Sequence, residues 1–92
     1  MIHRTTIDSE RARDPERARQ CMAEALVSLY RRSQAAGESG RIFLIRQSPT
    51  VLGLQRTNDA EEIASLLRWR DMFGEAIREV DEHEIRIVLG AP

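Results

Sequence analysis

A long amphipathic stretch, residues 15–36, constrains the fold of this chain more than any other feature of the sequence. Its apolar residues fall three and four positions apart, which places them on one side of an α-helix. They are Ala18, Cys21, Met22, Ala25, Leu26, Leu29 and Tyr30. Asp14 is a good N-cap, Pro15 suits the first helical position, and Gly37 suits the stop. Because one side of this helix is apolar, the rest of the chain must supply a surface that covers it.

A second amphipathic stretch predicts a second helix over residues 59–81. Its apolar positions are Ile63, Leu66, Leu67, Phe73, Ala76, Ile77 and Val80. Asn58 and Glu61 have the spacing of a capping box. Gly74 lies inside this predicted helix, at a cost of about 1 kcal/mol relative to alanine. Trp69 is expected to close the edge of the core.

The segments between and after the two helices predict β-strands. The run 42–45 is apolar at every position, which is typical of a strand buried on both faces. Residues 47–49 predict a turn and residues 50–56 a second strand, so that the two strands form a hairpin. Residues 84–89 begin with alternating charged and apolar side chains, which indicates a further strand with one face on the core.

Residues 1–7 leave two folds open. As a weak strand they complete the order β-α-β-β-α-β, which is ferredoxin-like; as part of a flexible arm over residues 1–13 they leave α-β-β-α-β with three strands. Both alternatives are α+β folds with two amphipathic helices on one face of a small antiparallel sheet of three or four strands. A chain of 92 residues is expected to form a single domain over residues 1–92.

The sequence carries none of the local motifs that mark common enzyme sites. It has no G-x-S-x-G, no P-loop and no dinucleotide fingerprint. Cys21 lies on the predicted buried side of the first helix, where a core thiol is expected rather than a nucleophile. His3 and His83, with the acidic stretch 81–84, offer too few converging ligands for a metal ion. We therefore expect no enzyme activity and no cofactor or metal.

Cysteine content and hydropathy bear on the compartment. Cys21 is the only cysteine, so that an intrachain disulfide is impossible. The longest strongly apolar run, 42–45, is far shorter than the roughly 20 residues of a membrane span. The first thirteen residues lack the apolar core of a secretory signal. These observations predict a cytoplasmic protein without membrane contact.

The charges are unevenly distributed along the chain. All 14 basic residues are arginine, which follows from GC-rich coding or from a need for bidentate binding of carboxylate or phosphate. The net charge is −1, with +3 over residues 1–47 and −4 over residues 48–92. The candidate basic patch consists of Arg4, Arg11, Arg13, Arg17, Arg19, Arg31 and Arg32.

Four acidic residues recur near the spacing of a helical turn toward the end of the second predicted helix. They are Asp71, Glu75, Glu79 and Glu82. On one outer side of a helix these carboxylates could imitate a phosphate backbone or bind a basic surface. They form the candidate acidic patch.

Together these features favour a small non-enzymatic regulator, inhibitor or adaptor that binds a protein of a larger assembly through charged patches. Phage- and mobile-element-encoded inhibitors of host machinery include proteins of this size and class, an analogy that no motif carries. One alternative is an arginine-dependent nucleic-acid-binding protein. A second alternative is a homodimeric structural subunit that pairs through an open sheet face.

Overall fold

The computed structural model describes residues 2–7 and 14–89. In chain order, its strands and helices are β1 (Ile2–Thr6), α1 (Pro15–Ala35), β2 (Arg41–Ser48), β3 (Val51–Thr57), α2 (Ala60–Phe73), β4 (Ile77–Val80) and α3 (Glu82–Leu89). A 3₁₀ turn, Gly74–Ala76, joins α2 to β4. The α+β class and the four-stranded antiparallel sheet are thereby confirmed. No helix in these two ranges is both long and apolar enough to cross a bilayer.

Helix α1 forms where its sequence predicts it. The side chain of Asp14 accepts a hydrogen bond from the Glu16 backbone N–H at 3.0 Å, and Pro15 occupies the first turn. The chain leaves the helix at Gly37, which has a φ of 72° that glycine adopts without strain. The predicted apolar side is the buried side, with Leu29 fully inaccessible to solvent.

The hairpin of β2 and β3 forms the centre of the sheet. Arg41 lies opposite Thr57 and Ile45 opposite Gly53, and the pairing shifts by one residue between Arg46 and Ser48. β1 adds to the outer side of β3 and β4 to the outer side of β2, which gives the strand order β1-β3-β2-β4. The strand alternative for the N-terminal residues is therefore confirmed, whereas residues 8–13 lie outside the described residues.

The segment after Phe73 differs from its prediction. Helix α2 ends at Phe73 because Gly74 turns the chain with a φ of 63°, so that the predicted helix over 59–81 is wrong in its last two turns. Residues 77–80 form β4 instead. The predicted strand at 84–89 is helix α3, whose first turn is capped by Asp81 through the Glu84 backbone N–H at 2.8 Å.

The two long helices lie on opposite faces of the sheet, which corrects the prediction that both pack on one face. One buried cluster joins α1 and α3 to the sheet through Ile7, Cys21, Ala25, Leu29, Ile42, Leu52, Leu54, Val80 and Ile85. A second cluster joins α2 to the sheet through Phe43, Ile45, Leu66 and Ile77. Consecutive residues of a strand point to opposite faces, so that Ile42 and Phe43 belong to different cores.

The strand order explains why the helices separate. β1 and β2 run parallel with β3 between them, and β3 and β4 run parallel with β2 between them. The crossovers β1-α1-β2 and β3-α2-β4 each pass over one strand, and both move in the same direction across the sheet. They start, however, from strands that run in opposite directions. Right-handed crossovers of this kind place their helices on opposite faces. Had β4 paired with β1, the second crossover would run the other way and both helices would share a face.

Candidate protein-binding groove

The face of the sheet that carries α2 is only half covered by the described residues. Helix α2 contacts β4 and packs on Phe43 and Ile45 of β2. On the same face, Ile2, Arg4 and Thr6 of β1 are exposed, because the alternation of β1 directs them away from α1. The surface over β1 and β3 is therefore open beside the helix.

Three large side chains stand exposed along the last turns of α2. Trp69 is 53% exposed, Met72 73% and Phe73 55%. The rings of Trp69 and Phe73 contact each other, with their centroids 5.1 Å apart. Singly exposed apolar residues are common on proteins, but a contiguous group that includes two aromatic rings is typical of an interaction surface. We call Trp69, Met72 and Phe73 the α2 ridge.

A groove of about 330 Å³ runs between α2 and the open half of the sheet. We call it the α2 groove; its floor is formed by Ile2, Arg4, Gln47 and Gln55, and its helical wall by Glu62, Ser65 and Trp69. Gly53 lies opposite Arg4 in the sheet and adds no side chain to the floor. Ile45, Leu66 and Ile77 also line the groove, so that its lining is apolar beneath α2 and polar on the open side of the sheet, with one basic and one acidic side chain on opposite sides.

The two charged residues of the groove are not neutralised within the described part of the chain. Neither Arg4 nor Glu62 forms a side-chain ion pair there. Only the backbone of each is engaged: the Arg4 carbonyl accepts a hydrogen bond from Arg32, and the Glu62 N–H donates to Asp59. As far as residues 2–7 and 14–89 are concerned, both charges are therefore open to a bound partner.

The candidate basic patch divides between two faces of the molecule. Arg4 points to the α2 face, whereas Arg17, Arg19, Arg31 and Arg32 are exposed on α1, which packs on the other face. Arg11 and Arg13 lie outside the described residues. Four of the five described members therefore share α1, with the Arg4 side chain on the opposite face, and the basic patch stays a prediction.

The candidate acidic patch is spread over four different elements. Asp71 lies on α2, Glu75 in the 3₁₀ turn, Glu79 in β4 and Glu82 at the start of α3. Glu79 pairs with Arg41, and Glu82 accepts a hydrogen bond from the Tyr30 hydroxyl. The single helical face on which this patch was predicted does not exist, because the helix ends at Phe73.

The residues considered for metal or nucleophilic chemistry lie in different elements. Cys21 is buried in α1, His3 lies in β1, and His83 is exposed in α3. No group of three or more histidine, cysteine or acidic residues with metal-binding geometry occurs over residues 2–7 and 14–89.

His3 belongs instead to a small polar cluster that ties β1 to the end of α1. Its Nε2 lies 3.0 Å from Glu38 Oε1, and the fully buried Ser33 hydroxyl donates to Glu38 Oε2 at 3.3 Å. The carboxylate stands between the serine and the histidine, whereas an activated serine needs the imidazole beside its hydroxyl. This cluster therefore has the arrangement of a structural connection.

Replacing Glu38 by alanine is expected to lower the free energy of unfolding by about 1–3 kcal/mol, because it leaves the Ser33 hydroxyl and the His3 ring without their partner. Equilibrium urea unfolding measures the change. Glu75→Ala is the matched control, since Glu75 is exposed and should change stability by no more than about 0.5 kcal/mol. Equal losses for the two variants would show that the cluster adds nothing.

A second buried polar cluster joins α1, β3 and α3. The Arg56 side chain is 7% exposed, and its guanidinium lies 4.8 Å from the centre of the Tyr30 ring. The Tyr30 hydroxyl donates to Glu82 Oε1 at 2.6 Å, and this oxygen is 4.0 Å from Arg56 Nη2. Among the described atoms, Arg56 Nε and Nη2 have no hydrogen-bond partner and are closed off from solvent. The stacking and the nearby carboxylate therefore hold α3 against α1.

The α2 ridge was not found from the sequence. Phe73 was predicted to be buried and Trp69 to close the core, and both are more than half exposed. The available signal was Gly74, whose positive φ ends the helix at Phe73. Comparison of this chain with known protein families, curated proteins and solved structures finds no match, so that any function has to rest on this surface geometry.

Proposed function

We propose that this protein is a small non-catalytic protein-binding module that acts through the α2 ridge and the α2 groove. The observation that carries the proposal is the exposure of Trp69, Met72 and Phe73 beside an uncovered half of the sheet. Aromatic and methionine side chains are enriched in the cores of protein interfaces, and Trp contributes disproportionately to binding energy.

The size and lining of the groove support a protein rather than a small substrate as its occupant. About 330 Å³ is at the lower limit of ligand pockets. The α2 ridge extends the apolar surface beyond the groove, which suits a partner that covers both. In this proposal, Arg4 and Glu62 set the orientation of the partner, while the apolar side chains provide most of the affinity.

The regulator, inhibitor or adaptor role predicted from the sequence is part of this proposal. The binding surface is now the α2 ridge and the α2 groove instead of the charged patches. The acidic residues no longer share one helix, and Arg4 lies on the face opposite the other described arginines, so that the proposal rests on the α2 face; the charged patches stay predictions. A cytoplasmic location stays a prediction.

The proposal is tested with the double variant Trp69→Ser/Phe73→Ser. We expect the tagged wild-type chain to retain at least one protein from a lysate of its source cells. An untagged copy of the chain itself counts as such a protein. The affinity of the double variant for this protein should be at least about thirtyfold lower, since the two lost aromatic anchors together remove about 2 kcal/mol or more of binding energy. Quantitative mass spectrometry of the retained proteins measures the difference.

Arg68→Ser/Asp71→Ser is the matched control, because both residues are exposed on the same helix outside the α2 ridge. It should retain the same protein as strongly as the wild type. Undiminished retention by Trp69→Ser/Phe73→Ser would contradict the proposal.

A further inference from the structure

We propose that the partner of the α2 groove is a second copy of this chain, bound in a two-fold symmetric dimer. This inference rests on the proposed function and names its partner. In a two-fold interface the same surface serves both subunits, so that each copy must carry a projection and a recess that complement each other.

The α2 face carries both a projection and a recess. The α2 ridge is exposed on the helix, and the α2 groove lies beside it, between the helix and β1. Ile2 packs over Gly53, since its Cγ2 would lie 3.2 Å from a Cβ atom at that position, and the exposed part of Ile2 lines the groove. The ridge of one copy can therefore lie on the floor of the other, and the two-fold axis repeats the contact.

The charges of the groove are self-complementary in the same way. Arg4 lies on the sheet side and Glu62 on the helix side, and neither has a side-chain partner among the described residues. A two-fold axis that brings Arg4 of one copy to Glu62 of the other also brings the reciprocal pair together. A single two-fold arrangement thus forms two equivalent Arg4–Glu62 pairs, which neutralise all four charges of the dimer.

The exposed apolar area matches that of a stable dimer. With about 150–250 Å² for a whole aromatic side chain, the half-exposed rings of Trp69 and Phe73 present roughly 200 Å². Met72 and Ile2 raise this to roughly 400 Å² per copy. A standard interface covers about 800 Å² per partner, of which somewhat more than half is apolar.

The free edge of β1 is a less suitable surface for self-association. The Ile7 N–H donates to the Thr50 carbonyl at 2.6 Å, so that by alternation the backbone groups of Arg4 point away from β3. The Arg32 guanidinium donates to this outward Arg4 carbonyl at 2.7 Å. The middle of the edge is therefore already occupied, which opposes pairing with another strand.

Sedimentation velocity and native mass spectrometry of the purified chain test this inference. Over a range from about 1 to 100 μM, the wild type should shift from monomer to dimer, and Trp69→Ser should remain monomeric at the highest concentration. Arg4→Glu and Glu62→Arg should each weaken the dimer at least about fivefold, and the combined variant should restore it, as expected for a pair between subunits. Glu61→Arg, on the neighbouring exposed position of α2, is the control and should leave the dimer unchanged.

Two results would overturn the inference: a wild type that is monomeric over the whole range, or a dimer that persists in Trp69→Ser and in both charge variants. Circular dichroism of each variant separates loss of the dimer from loss of the fold. If the wild type is monomeric but still retains another protein through Trp69 and Phe73, the dimer is wrong and the protein-binding function stands. If the wild type neither dimerises nor retains another protein, then the dimer and the protein-binding function are both wrong.

Discussion

Phe43→Ala is expected to lower the free energy of unfolding by about 3–5 kcal/mol, the range for truncation of a buried phenylalanine. Phe43 is 1% exposed and is the largest member of the cluster that holds α2 on the sheet, with Ile45, Leu66 and Ile77. A domain of this length has a total stability of roughly 5–14 kcal/mol, so that this loss removes a large part of it. Urea unfolding followed by circular dichroism measures the change.

Phe73→Ala is the matched control, because it removes the same side chain from an exposed site 55% open to solvent. At low micromolar concentration, where the dimer does not form, its effect should stay below about 1 kcal/mol. If both truncations cost the same, then Phe43 does not form the core beneath α2, and the placement of the α2 groove beside that core would be wrong as well.

Gly40→Ala is expected to lower the free energy of unfolding by about 3 kcal/mol or more. Gly40 has a φ of 110°, and a Cβ atom at this position would overlap the Thr57 carbonyl and the Asn58 side chain. The backbone strain alone costs roughly 1–2 kcal/mol. The overlap adds to this cost, because the Thr57 carbonyl belongs to the backbone at the end of β3. It cannot move without breaking the pairing of Thr57 with Arg41.

Gly37→Ala separates these two contributions in the same loop. Gly37 has a φ of 72°, but a Cβ atom there would meet no other atom within 4 Å. The variant should therefore lose only the strain, about 1–2 kcal/mol. Urea unfolding of both variants gives the comparison, and a loss for Gly40→Ala no larger than that for Gly37→Ala would show that the contact with Thr57 is not limiting.

Helix α1 shows what local sequence can predict. Its cap at Asp14, its first turn at Pro15, its apolar side and its stop at Gly37 all act within a few residues of one another. Each signal depends on backbone geometry that the neighbouring residues alone determine. The hairpin of β2 and β3 was predicted for the same reason, since its strands are adjacent in sequence and joined by a short turn.

The region after Phe73 shows where local patterns compete. The apolar spacing that predicted a helix to residue 81 continues by coincidence through Ile77 and Val80, which serve as alternate residues of β4. A single glycine is tolerated inside a helix at a small cost, but the positive φ of Gly74 ends this one. Asp81 and Glu84 have the spacing of a helix start, and this signal for α3 was available but was outweighed by the alternation that followed.

The sequence by itself determined the α+β class, the first helix and the central hairpin, because capping, periodicity and turn formation are local. Only the tertiary structure decided that β4 pairs with β2. This choice sends the second crossover to the opposite face, where α2 covers β2 and β4 and leaves the described part of β1 and β3 open. The α2 groove follows from that pairing between distant segments, and strand pairing of this kind depends on how the whole sheet assembles, which no short stretch of residues encodes.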